Sequence, residues 1–315
     1  MGLPQPEEFG AFLASGIRKY PRLAPPYNRL KSPAEASKLK SIETVGILGL
    51  GKMGGPMAGH LLAKGLKVIG YDPLAQAREK ATARGARSAA SAREVALASE
   101  LVIVVVGFDS EVEEVIFGKD GVLEGARPGL IVALGSTVAP RYSKRLASRL
   151  AEKNIVLLDV PLARGEAAAT AGKLLIYGAG DLDAFERCRP VFGAFASDIF
   201  HLGPAGAGQV AKMVNNLILW ACIAVNDEGL RLGRALGVDP ERLCQALRHG
   251  SAQNWAMDTQ AERSGMPWAE KDMSIVLEEA DRARLSLPLA GTVKEAIKGL
   301  KIRMGLGMPE IPEHL

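Results

Sequence analysis

Two groups of residues in this 315-residue chain have types and spacings suited to chemistry. The first is Gly46-Ile47-Leu48-Gly49-Leu50-Gly51-Lys52-Met53-Gly54, which holds G-x-G-x-x-G at Gly49, Gly51 and Gly54. Placed after a strand and opening a helix, Gly49 allows the tight turn, Gly51 leaves room for a pyrophosphate and Gly54 lets helix pack closely on strand. The turn residues Leu50, Lys52 and Met53 complete this expected cofactor loop, at a helix N-terminus whose unpaired N–H groups face the phosphates. Asp72, twenty-one residues beyond Gly51, ends the next strand, where a carboxylate can accept hydrogen bonds from both adenosine ribose hydroxyls. A carboxylate there repels a 2′-phosphate, so NAD is the expected cofactor and NADP the alternative, with Arg78 and Lys80 downstream softening the preference.

The second group lies in Gly206-Ala207-Gly208-Gln209-Val210-Ala211-Lys212-Met213-Val214-Asn215-Asn216. Lys212 and Asn216 stand four residues apart and project from one helix face. A lysine partly desolvated beside a positively charged nicotinamide has its pKa lowered, which lets it move protons to and from a substrate hydroxyl near neutral pH. Asn216 can orient that hydroxyl or hold the lysine. Alone, such a pair is usually a solvated helix face; beside the apolar Leu217–Val225 run and downstream of a dinucleotide fold, it reads as catalytic.

Both groups need elements to position them. Thr44–Leu48 reads as a strand, Met53–Lys64 as a helix and Lys67–Tyr71 as a second strand, one βαβ unit. Continuous apolar runs at Leu101–Val106, Leu130–Leu134 and Ile155–Val160 imply a sheet covered on both faces. The expected fold class is α/β: a Rossmann doubly wound parallel sheet over residues 43–202, followed by an all-helical substrate and dimerisation domain over 203–315. Helical periodicity runs through Val210–Leu236, Pro240–Arg248, Met273–Arg284 and Leu289–Lys301. Leu217–Val225 is apolar on every side, as in a helix buried between domains or subunits, and a homodimer or homotetramer is expected.

Composition narrows the function classes. Hydrophobic residues make up 48% and charged residues 23%, the ordinary range for globular chains. The net charge of +4 arises in residues 1–42, and the remaining 273 residues balance, which argues against a nucleic-acid footprint. Leu101–Val106 and Leu217–Val225 fall short of the ~20 apolar residues of a membrane span. Cys188, Cys222 and Cys244 lack C-x-x-C spacing, and His60, His201, His249 and His314 lack ligand spacing; no disulfide framework or metal site is expected, and the cytoplasm suits the thiols. Residues 1–42 carry six of the 18 prolines and read as an extension without a secretory signal, either a loose tail or a short amphipathic helix at Pro6–Tyr20. Trp220, Trp255 and Trp268 read as core or cleft walls.

Four motifs stand in order: the glycine loop; Gly135-Ser136-Thr137 before Pro140; Asp159-Val160-Pro161-Leu162-Ala163-Arg164-Gly165 with Gly172 and Leu174; and Gly206–Asn216. On these the chain resembles the β-hydroxyacid dehydrogenases of the 3-hydroxyisobutyrate dehydrogenase and tartronate semialdehyde reductase type, over roughly residues 43–300. The resemblance implies that Lys212 is the general acid/base and that Asn216 holds substrate. It further implies that Ser136 contacts substrate and Thr137 cofactor, and that Lys271 of the Lys271-Asp272 pair reaches the cofactor across the cleft. From the residues alone, Ser136 and Thr137 follow a buried strand at its carboxyl end, where open α/β sheets bind ligands, or they simply cap a turn.

The substrate loop departs from the family's Asp-Ala-Pro-Val-Ser-Gly-Gly, with Ala163 for the serine and Arg164 for the first paired glycine. Ala163, Arg164 and Gly165 are therefore the expected substrate loop, resembling that of sulfolactaldehyde reductases without the further residues that Glu166 replaces. A guanidinium suits a small anionic hydroxy acid or aldehyde; the alternative is an Arg164 paired with Glu166 or another acid. Asn254 to Lys271 is shorter than the family's segment, and the tail after Gly305 is brief. Two rival functions remain: an imine reductase, which generally lacks the lysine, and a non-catalytic dinucleotide-binding sensor or scaffold.

Overall fold

A computed structural model describes residues 41–259 and 265–307. The expectations for the extension, apart from its last two residues, and for residues 308–315 lie outside the described residues. The described residues from Ser41 onward form one compact unit. Its strands are β1 (Thr44–Leu48), β2 (Lys67–Tyr71), β3 (Arg87–Ser88), β4 (Leu101–Val104), β5 (Ile131–Leu134), β6 (Val156–Asp159), β7 (Leu162–Ala163), β8 (Leu174–Gly180) and β9 (Ala196–His201). The helices among them are α1 (Gly54–Ala63), α2 (Ala75–Thr82), α3 (Ala92–Ala98), α4 (Asp109–Phe117), α5 (Val122–Gly125), α6 (Pro140–Ala151), α7 (Gly165–Ala171) and α8 (Leu182–Phe192). After Gly206 come α9 (Ala207–Ala235), α10 (Pro240–Leu247), α11 (Trp255–Asp258), α12 (Ala269–Arg282) and α13 (Pro288–Arg303).

The sheet runs β3-β2-β1-β4-β5-β6-β8-β7, with β9 paired to β8. From β3 to β6 every pair is parallel, with Val45 opposite Leu101 and Leu101 opposite Ile131. Leu101 and Ile103 pack into one apolar layer and Val102 and Val104 into the other, all fully buried, so β4 needs apolar residues at every position. The parallel expectation requires one correction: β8 runs antiparallel to β6 and β7. The short turn around Ala163–Gly165 leads into α7 and returns the chain beside the sheet edge, so no full crossover is made.

The helical half has its own core of Trp220, Ile223, Met273, Val276, Val293 and Ile297. Its 29-residue α9 starts where Asp159, fully buried at the end of β6, accepts the Gly206 N–H and the Ser143 hydroxyl. The Gly208 and Gln209 N–H groups also reach this carboxylate, which thus satisfies orphan donors at the positive end of the helix. A Cβ at Gly208 would stand 2.3 Å from the Tyr177 carbonyl oxygen, so only glycine lets α9 approach β8 so closely. Within the single chain one side of Leu217–Val225 is covered, with Trp220 7% exposed, while Ile218 and Val225 on the other are 58% and 61% exposed. By length and composition α9 is also long and apolar enough to cross a membrane, which the apolar-run criterion did not detect. In the fold it packs along α12 and α13 and carries the polar side chains described next.

Candidate active site

The glycine loop lies between β1 and α1. Gly49 takes φ +94°, and its N–H donates to the Tyr71 carbonyl at 2.9 Å. A Cβ there would stand 2.2 Å from the Val105 carbonyl oxygen, and one at Gly54 would stand 1.9 Å from the Gly49 carbonyl oxygen. At Gly51 a Cβ would meet nothing within 4 Å, leaving an open side at the helix entrance. Asp72 is buried at the end of β2 and its two carboxylate oxygens accept the Leu50 N–H at 2.8 Å and the Leu74 N–H at 2.9 Å. Each oxygen keeps a second lone pair for a ribose hydroxyl. Arg78 is turned onto the carbonyls of Asp72 and Pro73. Lys52 forms an exposed ion pair with Glu166 at 3.0 Å, and Met53 is half-buried at the start of α1. An open glycine corner, free helix N–H groups and a carboxylate at the neighbouring strand end together fit a dinucleotide.

The loops after β4 and β5 form the next wall. The Ser136 hydroxyl accepts the Val106 N–H at 2.8 Å and faces the Val104 carbonyl at 3.5 Å. Buried and engaged in this way, it clips the two loops together. Gln209 of α9, fully buried, donates to the Ser136 carbonyl at 2.9 Å and accepts the Val138 N–H at 3.1 Å. Lys271 of α12 donates to the carbonyls of Thr137 at 2.8 Å and Gly107 at 2.6 Å. Its ammonium lies 5.4 Å from the ring centroids of both Phe108 and Trp268. Helical and sheet halves are thus joined by the neutral amide of Gln209 on both sides of Thr137 and by charge-assisted bonds from Lys271 to Thr137 and Gly107.

Lys212 is half-buried one turn beyond Gln209. Burial holds its ammonium below the usual lysine range; the charge of Asp272 works against this and that of Lys271 adds to it. Asp272 is buried, accepts the Trp220 indole N–H at 3.0 Å and takes a hydrogen bond from the Asn216 side chain. Burial raises its carboxyl pKa, while Lys212 opposes the rise. Asn216 in turn accepts from Asn215 at 3.0 Å. The structure therefore brings Lys212, Asn216 and Lys271 together. It adds Asp272, Gln209 and Trp220, to which sequence reasoning gave no site role; the Lys271-Asp272 dipeptide was the available signal for the first.

Ala163 is buried in β7 and Gly165 is exposed. Arg164 takes φ +80°, a conformation costing a non-glycine residue of order 1–3 kcal/mol, which explains why the family's loop has glycine there. Its Nη1 reaches Asp198 at 2.6 Å, Ser197 at 2.9 Å and the Lys173 carbonyl at 3.2 Å. The acid paired with Arg164 is Asp198, and Glu166 pairs with Lys52 instead. No other nitrogen of the fork has a hydrogen bond among the described residues. Among those residues, no group of three or more His, Cys, Asp or Glu could hold a metal ion.

An open glycine corner with Asp72 beside it on the sheet, and Lys212, Asn216 and Asp272 grouped on α9 and α12, are the parts of a pyridine-nucleotide oxidoreductase. Family models agree: the NAD binding domain of 6-phosphogluconate dehydrogenase matches residues 44–203, and the NAD-binding domain of NADP-dependent 3-hydroxyisobutyrate dehydrogenase matches residues 206–307. The NAD-dependent L-serine dehydrogenase of Pseudomonas aeruginosa is 36% identical over 69% of this chain and 73% of its own. The 3-hydroxyisobutyrate dehydrogenase of the same organism is 34% identical, over 79% and 89%. The crystal structure of 3-hydroxyisobutyrate dehydrogenase from Salmonella typhimurium superposes with a TM-score of 0.75 at 30% identity, over 84% of this chain and 95% of that one. The chain belongs to the β-hydroxyacid dehydrogenase family and is an NAD(P)-dependent dehydrogenase.

Proposed function

We propose that this enzyme interconverts a small anionic 3-hydroxy acid and its semialdehyde, with Lys212 as general acid/base. The observation that carries the reading is the half-buried Lys212 set against Asp272 and Asn216. The nicotinamide, when bound, supplies the hydride acceptor or donor. Gly49, Gly51, Gly54 and the N–H groups of Lys52 and Met53 would hold the pyrophosphate, and Asp72, fixed by the Leu50 N–H, the ribose. Its carboxylate favours NAD over NADP, because a negative charge at the ribose repels a 2′-phosphate. Neutral Lys212 takes the proton from the substrate hydroxyl, and the ammonium returns it to the aldehyde oxygen. Asn216 orients that oxygen, and Lys271 fixes the Thr137 loop beside the cofactor.

The test is NAD and NADP reduction across small 3-hydroxy acids, both carboxylates and sulfonates. Turnover of one acid, faster with NAD, is the expected result. Tight cofactor binding without any turnover would sink the hydroxy-acid reading in favour of an imine substrate or a sensor.

Arg164 gives the substrate loop a positive edge, with Asp198 holding one nitrogen of its fork. Arg164→Gly removes the charge and also relieves the left-handed backbone. It should raise KM for the acid about 10-fold or more, the worth of a charge-assisted hydrogen bond, with KM for NAD unchanged. Equal KM values in both proteins would return Arg164 to a purely structural role.

Association of at least two copies follows from Val210, Val214, Ile218, Val225 and Leu232, each more than 40% exposed along α9. A second copy covering this stripe removes an apolar surface that single soluble chains rarely leave open. Sedimentation is expected to give at least twice the 33.3 kDa chain mass; a single-chain mass at micromolar concentration overturns it. A reducing cytoplasm, matching three free cysteines, completes the proposal.

A further inference from the structure

Tyr177 lies on β8, outside every motif of the sequence analysis, yet its hydroxyl stands 3.0 Å from Oδ1 of Asn215. Asn215 Nδ2 lies 3.0 Å from Oδ1 of Asn216, and the Asn216 side chain hydrogen-bonds Asp272. These contacts make one line from β8, across α9, to the carboxylate that faces Lys212.

Donor and acceptor types fix the direction of that line. An ionised carboxylate only accepts, so Asn216 must present its Nδ2 to Asp272 and its Oδ1 to Asn215. Asn215 must then present Nδ2 to Asn216, which leaves its Oδ1 facing Tyr177. The Tyr177 hydroxyl therefore has to donate. Without that donor, Asn215 loses the partner that tells its oxygen from its nitrogen, and its amide can rotate by half a turn. A rotated Asn215 turns its Oδ1 toward Oδ1 of Asn216, which is left without a donor, or, if Asn216 rotates as well, sets Oδ1 of Asn216 against the Asp272 carboxylate. Burial raises the pKa of the Tyr177 hydroxyl, with the Arg164 guanidinium opposing the rise, so the hydroxyl keeps the proton it donates.

We propose that Tyr177 is a positioning residue that acts through Asn215 to lock the amide of Asn216 with its nitrogen toward Asp272 and the substrate oxygen. Tyr177 on β8 and the Asp272 carboxylate beside the proton-transferring lysine are then two ends of one hydrogen-bonded chain. The kinetic consequence rests on the dehydrogenase reading above; the orientation of the amides does not.

Two measurements separate these levels. The chain has six asparagines, so selective ¹⁵N-asparagine labelling gives a sparse set of side-chain NH₂ signals. Tyr177→Phe, which keeps shape and packing, is expected to shift the Asn215 and Asn216 signals and speed their exchange with water, leaving those of Asn226 and Asn254 in place. Unchanged Asn216 signals overturn the proposal, whatever the enzyme turns over. In steady state with NAD and L-serine or 3-hydroxyisobutyrate as probes, Tyr177→Phe should lower kcat about 3- to 10-fold, as loss of one neutral hydrogen bond allows, with KM for NAD unaltered. In an Asn215→Leu background the same change should have no further effect. A full additional loss there overturns action through Asn215. Absence of turnover in the wild-type protein counts against the assigned reaction alone, and the amide signals still decide the relay.

Discussion

Lys212→Ala lowers kcat by about 10²- to 10⁴-fold, the usual worth of a positioned general acid/base, and leaves the dissociation constant for NAD as it was. The two effects separate because Lys212 lies on α9, while the glycine loop and Asp72 lie on the sheet. The expected pH profile of the wild type for alcohol oxidation rises through the lowered pKa of Lys212, since only the neutral amine accepts the proton. In the alanine variant that limb disappears. Stopped-flow turnover and fluorescence titration with NADH measure both quantities. A loss below about tenfold, with the limb intact, would transfer proton movement to another group.

Asp272→Asn is the second large effect and carries a sign. The Asp272 charge raises the pKa of Lys212 against burial, so removing it lets the lysine fall further. The rising limb of kcat/KM for oxidation therefore moves to lower pH. An isosteric amide can still accept the Trp220 indole N–H, so the fold is kept, but it offers a donor toward Asn216 where an acceptor stood. The maximal rate should fall about 10-fold as well, within the range for a hydrogen bond to a charged group. A limb that stays in place or moves to higher pH is incompatible with Asp272 acting on Lys212.

Much of this was legible in the sequence because the sheet half obeys local rules. Thr44–Leu48 and Lys67–Tyr71 begin and end where apolar β-formers give way to glycine, polar residues or turns, and G-x-G-x-x-G needs its own neighbours and little else. The Lys212–Asn216 spacing is likewise a property of one helix. What stayed hidden depends on pairings far apart in the chain. Gln209 to Ser136, Lys271 to Gly107 and Asp272 to Trp220 are separated by 73, 164 and 52 residues, and no periodicity announces them. The antiparallel β8 escaped because its alternation Leu174, Ile176, Gly178 marks one better-buried face and carries no sign of the direction in which the strand pairs. Arg164 was legible as an anomaly of type, but its left-handed backbone and its Asp198 partner emerge only in three dimensions.

At the start of α12, Glu270, Lys271 and Asp272 grip three different bodies. Glu270 binds Lys301, an almost wholly buried lysine of α13, at 2.7 Å. Lys271 holds the loops after β4 and β5, and Asp272 faces α9. Successive helix residues point about 100° apart, so one residue inserted or deleted within this turn reassigns all three grips together. Evolution can therefore hardly vary the family's helical wall by small steps in length here, whereas the Ala163–Arg164 loop, hung on a single turn, can change residue by residue.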